Sequence, residues 1–440
     1  VTPGRVFIFL LLLIGGIGSA VNGAAFYTRL FYAGVLIVVL AWLMTTLALQ
    51  GLKVERRARS SRAAVGDIFE EHYEIINTSR IPKLALEVVN ETKIPHATGS
   101  RVLTFLNGGQ KRSYTARTWL TSRGGFSLGP TTVSAGDPFG LFRVSKRFPA
   151  EASLVVLPMV VPVNEFLAPP GLLPGGKAIR QKSLDITPHA SGVREYMPGD
   201  SIKRIHWPTS IRRNQLMVKE FEQDPQAEVW LFLDTDRMAH YAGPGESYEI
   251  PPMDDLFLIR RGKLKVNPST FEYSSTIAAS LAHYFLEGRR SVGLVAASGR
   301  EYSIIPAERS ARQEAKILEE LAFLQPESTI TLPALVAAQM GQLPSGSSAI
   351  LITPTTSPEL LLAVDSLQRR NLRPVVVLLM LHTFGPRLNN EHLARSLEER
   401  RVPVCRIYCD ADISETLSAF YSNSSLQERA WRRPVLSHLT

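Results

Sequence analysis

Cysteine is almost absent from this 440-residue chain: only Cys405 and Cys409 occur, four positions apart near the C-terminus. Two thiols exclude a disulfide framework and leave no set for a cysteine zinc cluster. They read as small apolar fillers on or beside a late strand, in a reducing compartment. Charge is also sparse, at 20% against 45% hydrophobic residues, which excludes intrinsic disorder and supplies enough apolar surface for cores. No repeat period is evident. The Gly-x-Ser-x-Gly elbow, the phosphate-binding Gly-rich loop and the His-Glu-x-x-His helix are all missing, so the common hydrolase, nucleotide and zinc-protease signals have no carrier. The length exceeds what one ordinary core organises, and two or three domains are expected.

Charge is missing altogether from two long runs, Val6–Val21 (VFIFLLLLIGGIGSAV) and Leu30–Leu49 (LFYAGVLIVVLAWLMTTLAL). The second has about the 20 residues that cross a hydrocarbon core of roughly 30 Å, and the first reaches that length if continued through Phe26. Residues 1–52 therefore read as two transmembrane helices, about 6–26 and 30–50, with a short external loop around Asn22–Thr28. The alternative for the first is a signal peptide, for which Gly18-Ser19-Ala20 would suit cleavage. Gly15 with Ser19, or Gly16 with Ala20, has small-residue spacing for helix contact.

The net charge of +9 is concentrated beside these runs: residues 1–62 hold +6 of it, leaving +3 for the rest. Lys53, Arg56, Arg57, Arg59 and Arg62 follow the second run directly. Because basic residues stay on the cytoplasmic side, this membrane-proximal cluster places the bulk of the chain inside. It is also a candidate for anionic lipid headgroups. The near-balanced remainder makes nucleic acid an unlikely partner.

Residues 53–163 alternate over short runs such as HYEIIN, LALEVVN and KRSYTARTWL, broken by Asn, Gly and Pro, which predicts an antiparallel β-sandwich. Asp137-Pro138-Phe139-Gly140 reads as a tight turn, with Phe139, Leu141 and Phe142 plugging the sandwich end. Residues 164–225 hold a Pro/Gly linker (APPGLLPGGK) and a dense polar block. In 226–440, apolar runs (VWLFLDTD, SVGLVAAS, SAILITPT, RPVVVLLML, VPVCRIYC) alternate with amphipathic stretches, predicting a doubly wound parallel α/β sheet. Tyr241–Asn267 reads as a long loop at the sheet's edge or functional end. The whole is a membrane-anchored α+β multidomain chain.

The polar block, Ser191–Glu222, contains Arg194-Glu195-Tyr196, Pro198-Gly199-Asp200, Arg204, His206-Trp207, Arg212 and Lys219-Glu220-Phe221. In order and spacing these resemble a bacterial family catalogued as domain of unknown function fifty-eight. Gly136–Phe142 and the two leading helices are similar to that family's N-terminal architecture. The resemblance implies a cell (inner) membrane protein with two spans and a cytoplasmic bulk, whose C-terminal domain is von Willebrand factor A-like. It also implies a MoxR-type AAA+ ATPase and a transglutaminase-like membrane protein as protein partners, with no biochemical activity established.

A-type domains often hold a divalent cation such as magnesium with an Asp-x-Ser-x-Ser loop after their first strand. Here Asp234 fits and Asp236 and Met238 replace the serines, so Asp234 and Asp236 are the candidate ligands of a degenerate site; a domain without cofactor is the expectation, and a divalent-metal-dependent adhesion domain is the alternative. Three functions follow. The first is an interaction scaffold without catalytic residues. The second is phosphate, anionic-lipid or nucleic-acid binding by 177–219, where nine basic residues face Asp185, Glu195 and Asp200; an internal salt-bridge network is the plainer reading of the same residues. The third is a hydrolase using His206 beside Asp200; the scaffold is preferred, and the chain is read as no enzyme. Trp207 and Phe221 are expected as packing anchors and Tyr196 as a buried ring.

Overall fold

The computed structural model describes residues 3–149, 152–167, 190–197, 205–221, 228–242, 266–385 and 389–420, with backbone alone at 22, 190–194 and 219–221. The described chain divides into two compact units, the first containing residues 1–159 and the second most of the remainder.

The first unit opens with α1 (Pro3–Asn22) and α2 (Ala25–Ala48), both long and apolar enough to cross a membrane by length and composition. The connection is shorter than the loop expected around Asn22–Thr28. Gly23, at φ +59°, turns the chain alone, and Phe26–Thr28 contain nothing to break α2. The helices touch through small residues. A Cβ on Gly15 would come within 2.8 Å of the Phe31 nitrogen, and one on Gly34 within 2.6 Å of Leu11. The Ser19 and Thr28 hydroxyls lie 2.9 Å apart across the pair.

Ten strands follow: β1 (Leu52–Ala58), β2 (Arg62–Ala64), β3 (Ile68–Asn77), β4 (Lys83–Asn90), β5 (Arg101–Leu106), β6 (Lys111–Trp119), β7 (Gly124–Ser127), β8 (Thr131–Gly136), β9 (Arg143–Phe148) and β10 (Ser153–Leu157). Alternation along β3 turns Tyr73 and Ile75 inward, as period two requires. Antiparallel sheets β1-β3-β6 and β5-β4-β8-β9 enclose a shared core that includes Leu52, Ile75, Leu86, Leu106 and Val133. Tyr73 and Tyr114 stack there at 4.9 Å. A third sheet, β2-β10-β7, contains one parallel pair, a departure from the wholly antiparallel expectation. Leu141 does not plug this core. It packs with Ile8 of α1 and Ala41 of α2, since the β8–β9 turn projects toward the helices.

The second unit begins with an antiparallel pair, β11 (Ala190–Glu195) and β12 (Met217–Phe221), with the short helix α3 (Trp207–Arg213) between them. Its main body runs β13 (Val229–Leu233), α4 (Thr270–Glu287), β14 (Val292–Ser298), β15 (Glu301–Glu308), α5 (Gln313–Phe323), α6 (Leu332–Gln339), β16 (Ser348–Thr353), α7 (Glu359–Arg369), β17 (Arg373–Leu379), α8 (Leu381–Phe384), α9 (Glu391–Glu399) and β18 (Val404–Ile407). The sheet order is β15-β14-β13-β16-β17-β18, parallel except for the edge strand β15. Its central strands are apolar along their whole length because helices cover both faces. Helices α6, α7 and α9 pack on the face bearing Trp230 and Phe232, and α4 contacts β13, β14 and β16. Cys405 is buried in β18, and burial pushes its thiol up to about 12, in keeping with a filler. Most of the Tyr241–Asn267 segment lies outside the described residues.

Candidate functional site at the carboxyl end of the parallel sheet

From β13 the chain winds outward through β14 and β15, then returns to place β16 on the other flank of β13. The carboxyl ends of β13 and β16 thus form the switch point at which open α/β sheets bind ligands. Asp234 stands there, one residue past β13 and 1% exposed. Its Oδ2 accepts a 2.6 Å hydrogen bond from Thr353 Oγ1, at the end of β16, and its Oδ1 accepts from the Asp236 amide at 3.0 Å. Burial raises the Asp234 carboxyl from the ordinary 3.8 to about 6; these two donors and the Thr235 amide oppose the rise, and the Asp236 charge adds to it.

The surrounding loops are stitched to this centre. His240 Nε2 donates to the Asp234 carbonyl at 2.8 Å. Ser328 bonds through its backbone to Thr235 and Arg237. Thr353 Oγ1 also accepts from the Thr355 amide, and the buried Asn390 amide donates to the carbonyls of Leu379 and Pro354. One polar network therefore closes the ends of β13, β16 and β17.

These residues do not fit a hard cation. Both Asp234 oxygens already hold protein donors, and Asp236 Oδ1 accepts from the Met238 amide. The third position of the loop offers a thioether, where a hard cation requires oxygen. No cluster of three or more His, Cys, Asp or Glu occurs among the described residues. What the loop turns outward is Arg237 and Met238, the latter 81% exposed.

The polar block forms the β11–α3–β12 unit. Arg194 and Glu195 lie on β11, opposite Val218 and Met217. Tyr196 is half-buried, with its amide on the Leu216 carbonyl. The His206 ring sits 2.7 Å from Thr209 Oγ1. Trp207 corrects its expectation as a packing anchor: it is 56% exposed, because a first-turn residue followed by Pro208 on a seven-residue helix faces away from the sheet. Arg212 is exposed in the last turn. Pro198, Gly199, Asp200 and Arg204, and the side chains of Arg194, Lys219, Glu220 and Phe221, lie outside the described residues. So do residues 177–189 and 198–204 of the 177–219 basic stretch.

The basic residues after α2 belong to β1, the turn after it and the start of β2. Arg56 is turned inward against the buried Glu71 at 2.5 Å. Arg57 pairs with Glu55 and Arg59 with Glu70, while Lys53 and Arg62 are exposed. His240, Ser328 and Asn390 escaped sequence reading. Asn390 precedes a helix and looks like an ordinary cap, and nothing local marks its long-range bonds.

Two apolar helices, antiparallel sheets and a mixed, mostly parallel α/β sheet with a polar switch point define a multidomain chain that opens on a pair of apolar helices. Within it, residues 192–245, from the hairpin past Asp234, match the model of a family described as "Protein of unknown function DUF58". The chain is 24% identical over 325 residues to "Uncharacterized protein YeaD" of Bacillus subtilis (strain 168), covering 71% of this chain and 72% of that protein. Among solved structures, the pilus adhesin SpaC from Lactobacillus rhamnosus GG is similar at TM-score 0.28 and 11% identity, over 47% of this chain and 30% of that one. A β-glucosidase, EmGH1 from Erythrobacter marinus, matches at TM-score 0.16 and 9% identity, over 24% and 15%. The chain spans less than a third of the length of these two structures, and scores this low carry no functional argument.

Proposed function

We propose that this protein is a membrane-anchored binding platform: α1 and α2 cross the bacterial cell membrane, the rest lies in the cytoplasm, and the carboxyl end of the parallel sheet docks a protein partner. The observation that carries the reading is the inward commitment of Asp234. Its oxygens are engaged by Thr353 and Asp236, while the same loop turns Arg237 and Met238 to solvent. A carboxylate so engaged braces a loop, and an exposed flexible methionine beside an arginine is suited to contact with another protein surface. The strand order with its antiparallel edge supports a von Willebrand factor A-like domain. The family resemblance points to a MoxR-type AAA+ ATPase as the partner, with a transglutaminase-like membrane protein in the same assembly.

The test is co-purification of that ATPase with the full chain in detergent. Reversing the exposed loop by Arg237→Glu with Met238→Asp is expected to reduce capture at least tenfold without lowering the melting temperature. Undiminished capture would remove the carboxyl end of the sheet from the interface.

A further inference from the structure

The turn between β8 and β9 binds several of its own backbone groups. The Asp137 carboxylate accepts from the Phe139 amide at 2.8 Å and the Phe142 amide at 2.6 Å. The Gly140 amide donates to the Asp137 carbonyl, and the Asp137 amide to the Phe142 carbonyl. Pro138 has no amide hydrogen to place, and Arg5 Nε of α1 donates to the Leu141 carbonyl at 2.9 Å. An irregular segment at membrane depth needs this kind of internal satisfaction, because hydrocarbon offers no partner to a free backbone group.

The turn's apolar side chains continue the surface of the helix pair. Leu141 clusters with Ile8 and Ala41, and Leu12, Ile37, Val38 and Phe142 pack around them. The Phe139 carbonyl lies against Gly4, so closely that no residue with a Cβ fits there, while the Phe139 ring is 44% exposed.

Depth follows from counting along both helices from their shared turn at Gly23. At 1.5 Å per residue, the helix residues around Leu141 and Phe142, from Leu12 to Ala41, stand about 16 to 27 Å from that turn. The hydrocarbon core is roughly 30 Å thick, which puts them about 3 Å or more inside its opposite boundary. Tilting the helices, or raising the Gly23 turn out of the membrane, moves them deeper. Arg5 falls at about 27 Å, close to the boundary, where an arginine reaches polar ground.

We propose that the Asp137–Phe142 turn is a wedge inserted into the cytoplasmic leaflet, with Leu141 and Phe142 seated on the helix pair and the exposed Phe139 ring in contact with the upper acyl chains of the lipid. The proposal rests on the reading that α1 and α2 cross the membrane. It makes the β-sandwich a part of the membrane assembly in its own right, gripping the bilayer as well as hanging from it.

The test places a nitroxide at Phe139→Cys in the full chain carrying Cys409→Ser; Cys405 is buried and stays native. Leu40→Cys on α2 and Tyr302→Cys on β15, both exposed positions, are labelled in parallel. In phosphatidylcholine vesicles containing phosphatidylglycerol, collisions with oxygen, which concentrates in lipid, are compared with collisions with a water-soluble nickel chelate. Labels at 40 and 139 favouring oxygen, with 302 favouring nickel, support the wedge. A label at 139 that behaves like 302 while 40 favours oxygen overturns the wedge and leaves the crossing intact. A label at 40 that favours nickel overturns both. Should the labelled 139 chain fail to fold, Phe139→Trp reports the same contrast through quenching by brominated lipid: added fluorescence quenched as in lipid supports the wedge, and unquenched fluorescence overturns it.

Discussion

Asp234 combines near-complete burial with a carboxyl raised to about 6, and the sign of its effect on stability follows. Between about pH 4 and 6 the folded state binds more protons here than the unfolded state, so stability falls as pH rises through that window. At neutral pH the buried charge costs on the order of 3 kcal/mol relative to a neutral group. Asp234→Asn keeps an oxygen for the Asp236 amide and an NH2 group for the Thr353 hydroxyl, whose own proton can turn away. The variant is expected to melt several degrees above the native chain at pH 7.5, with the gap closing toward pH 4. A lower melting temperature at pH 7.5 would show that the charge itself is needed to hold the loop.

Ser210 makes the β11–α3–β12 element a closed unit: its hydroxyl donates to the His206 carbonyl at 3.0 Å and accepts from the Met217 amide at 2.8 Å. Ser210→Ala strands that buried amide, at a cost of about 1 to 2 kcal/mol. Hydrogen exchange at Met217 should then accelerate roughly 5- to 30-fold, while the core amides of β16 keep their native rates. A Met217 amide as slow as before would mean that the strand pair holds α3 without the serine. The elements with a clear period were legible in the sequence. The apolar runs became β13, β14, β16, β17 and β18, and the amphipathic stretches became α4, α5, α7 and α9. Two were not. β15 alternates only weakly, carries Pro306 and lies at an edge; α6 is eight residues long and opens on Leu332-Pro333, with no polar face to mark it. At the site, Asp234 was readable because a strand-end aspartate is a local signal. Its partner Thr353 reaches it from 119 residues away, and Asn390 ties the neighbouring strand ends together from farther still; spacing along the chain carries no trace of that.

At the scale of the whole chain, the basic residues after α2 set the expected orientation. Protease added to inverted membrane vesicles should digest the chain beyond α2, and right-side-out vesicles should protect it. The reverse pattern would place the α/β unit outside the cell and remove a cytoplasmic ATPase as its partner. The junction between α2 and the sandwich has a mechanical meaning. The Lys83 ammonium, nearly buried, donates to the Leu47 carbonyl at 2.7 Å in the last turn of α2, and Leu49 and Leu52 enter the sandwich core. That clasp leaves no swivel between helix and sheet. Any force that tilts or rotates the helix pair is delivered to the sandwich as torque, and a pull on the sandwich is felt as a change of helix tilt.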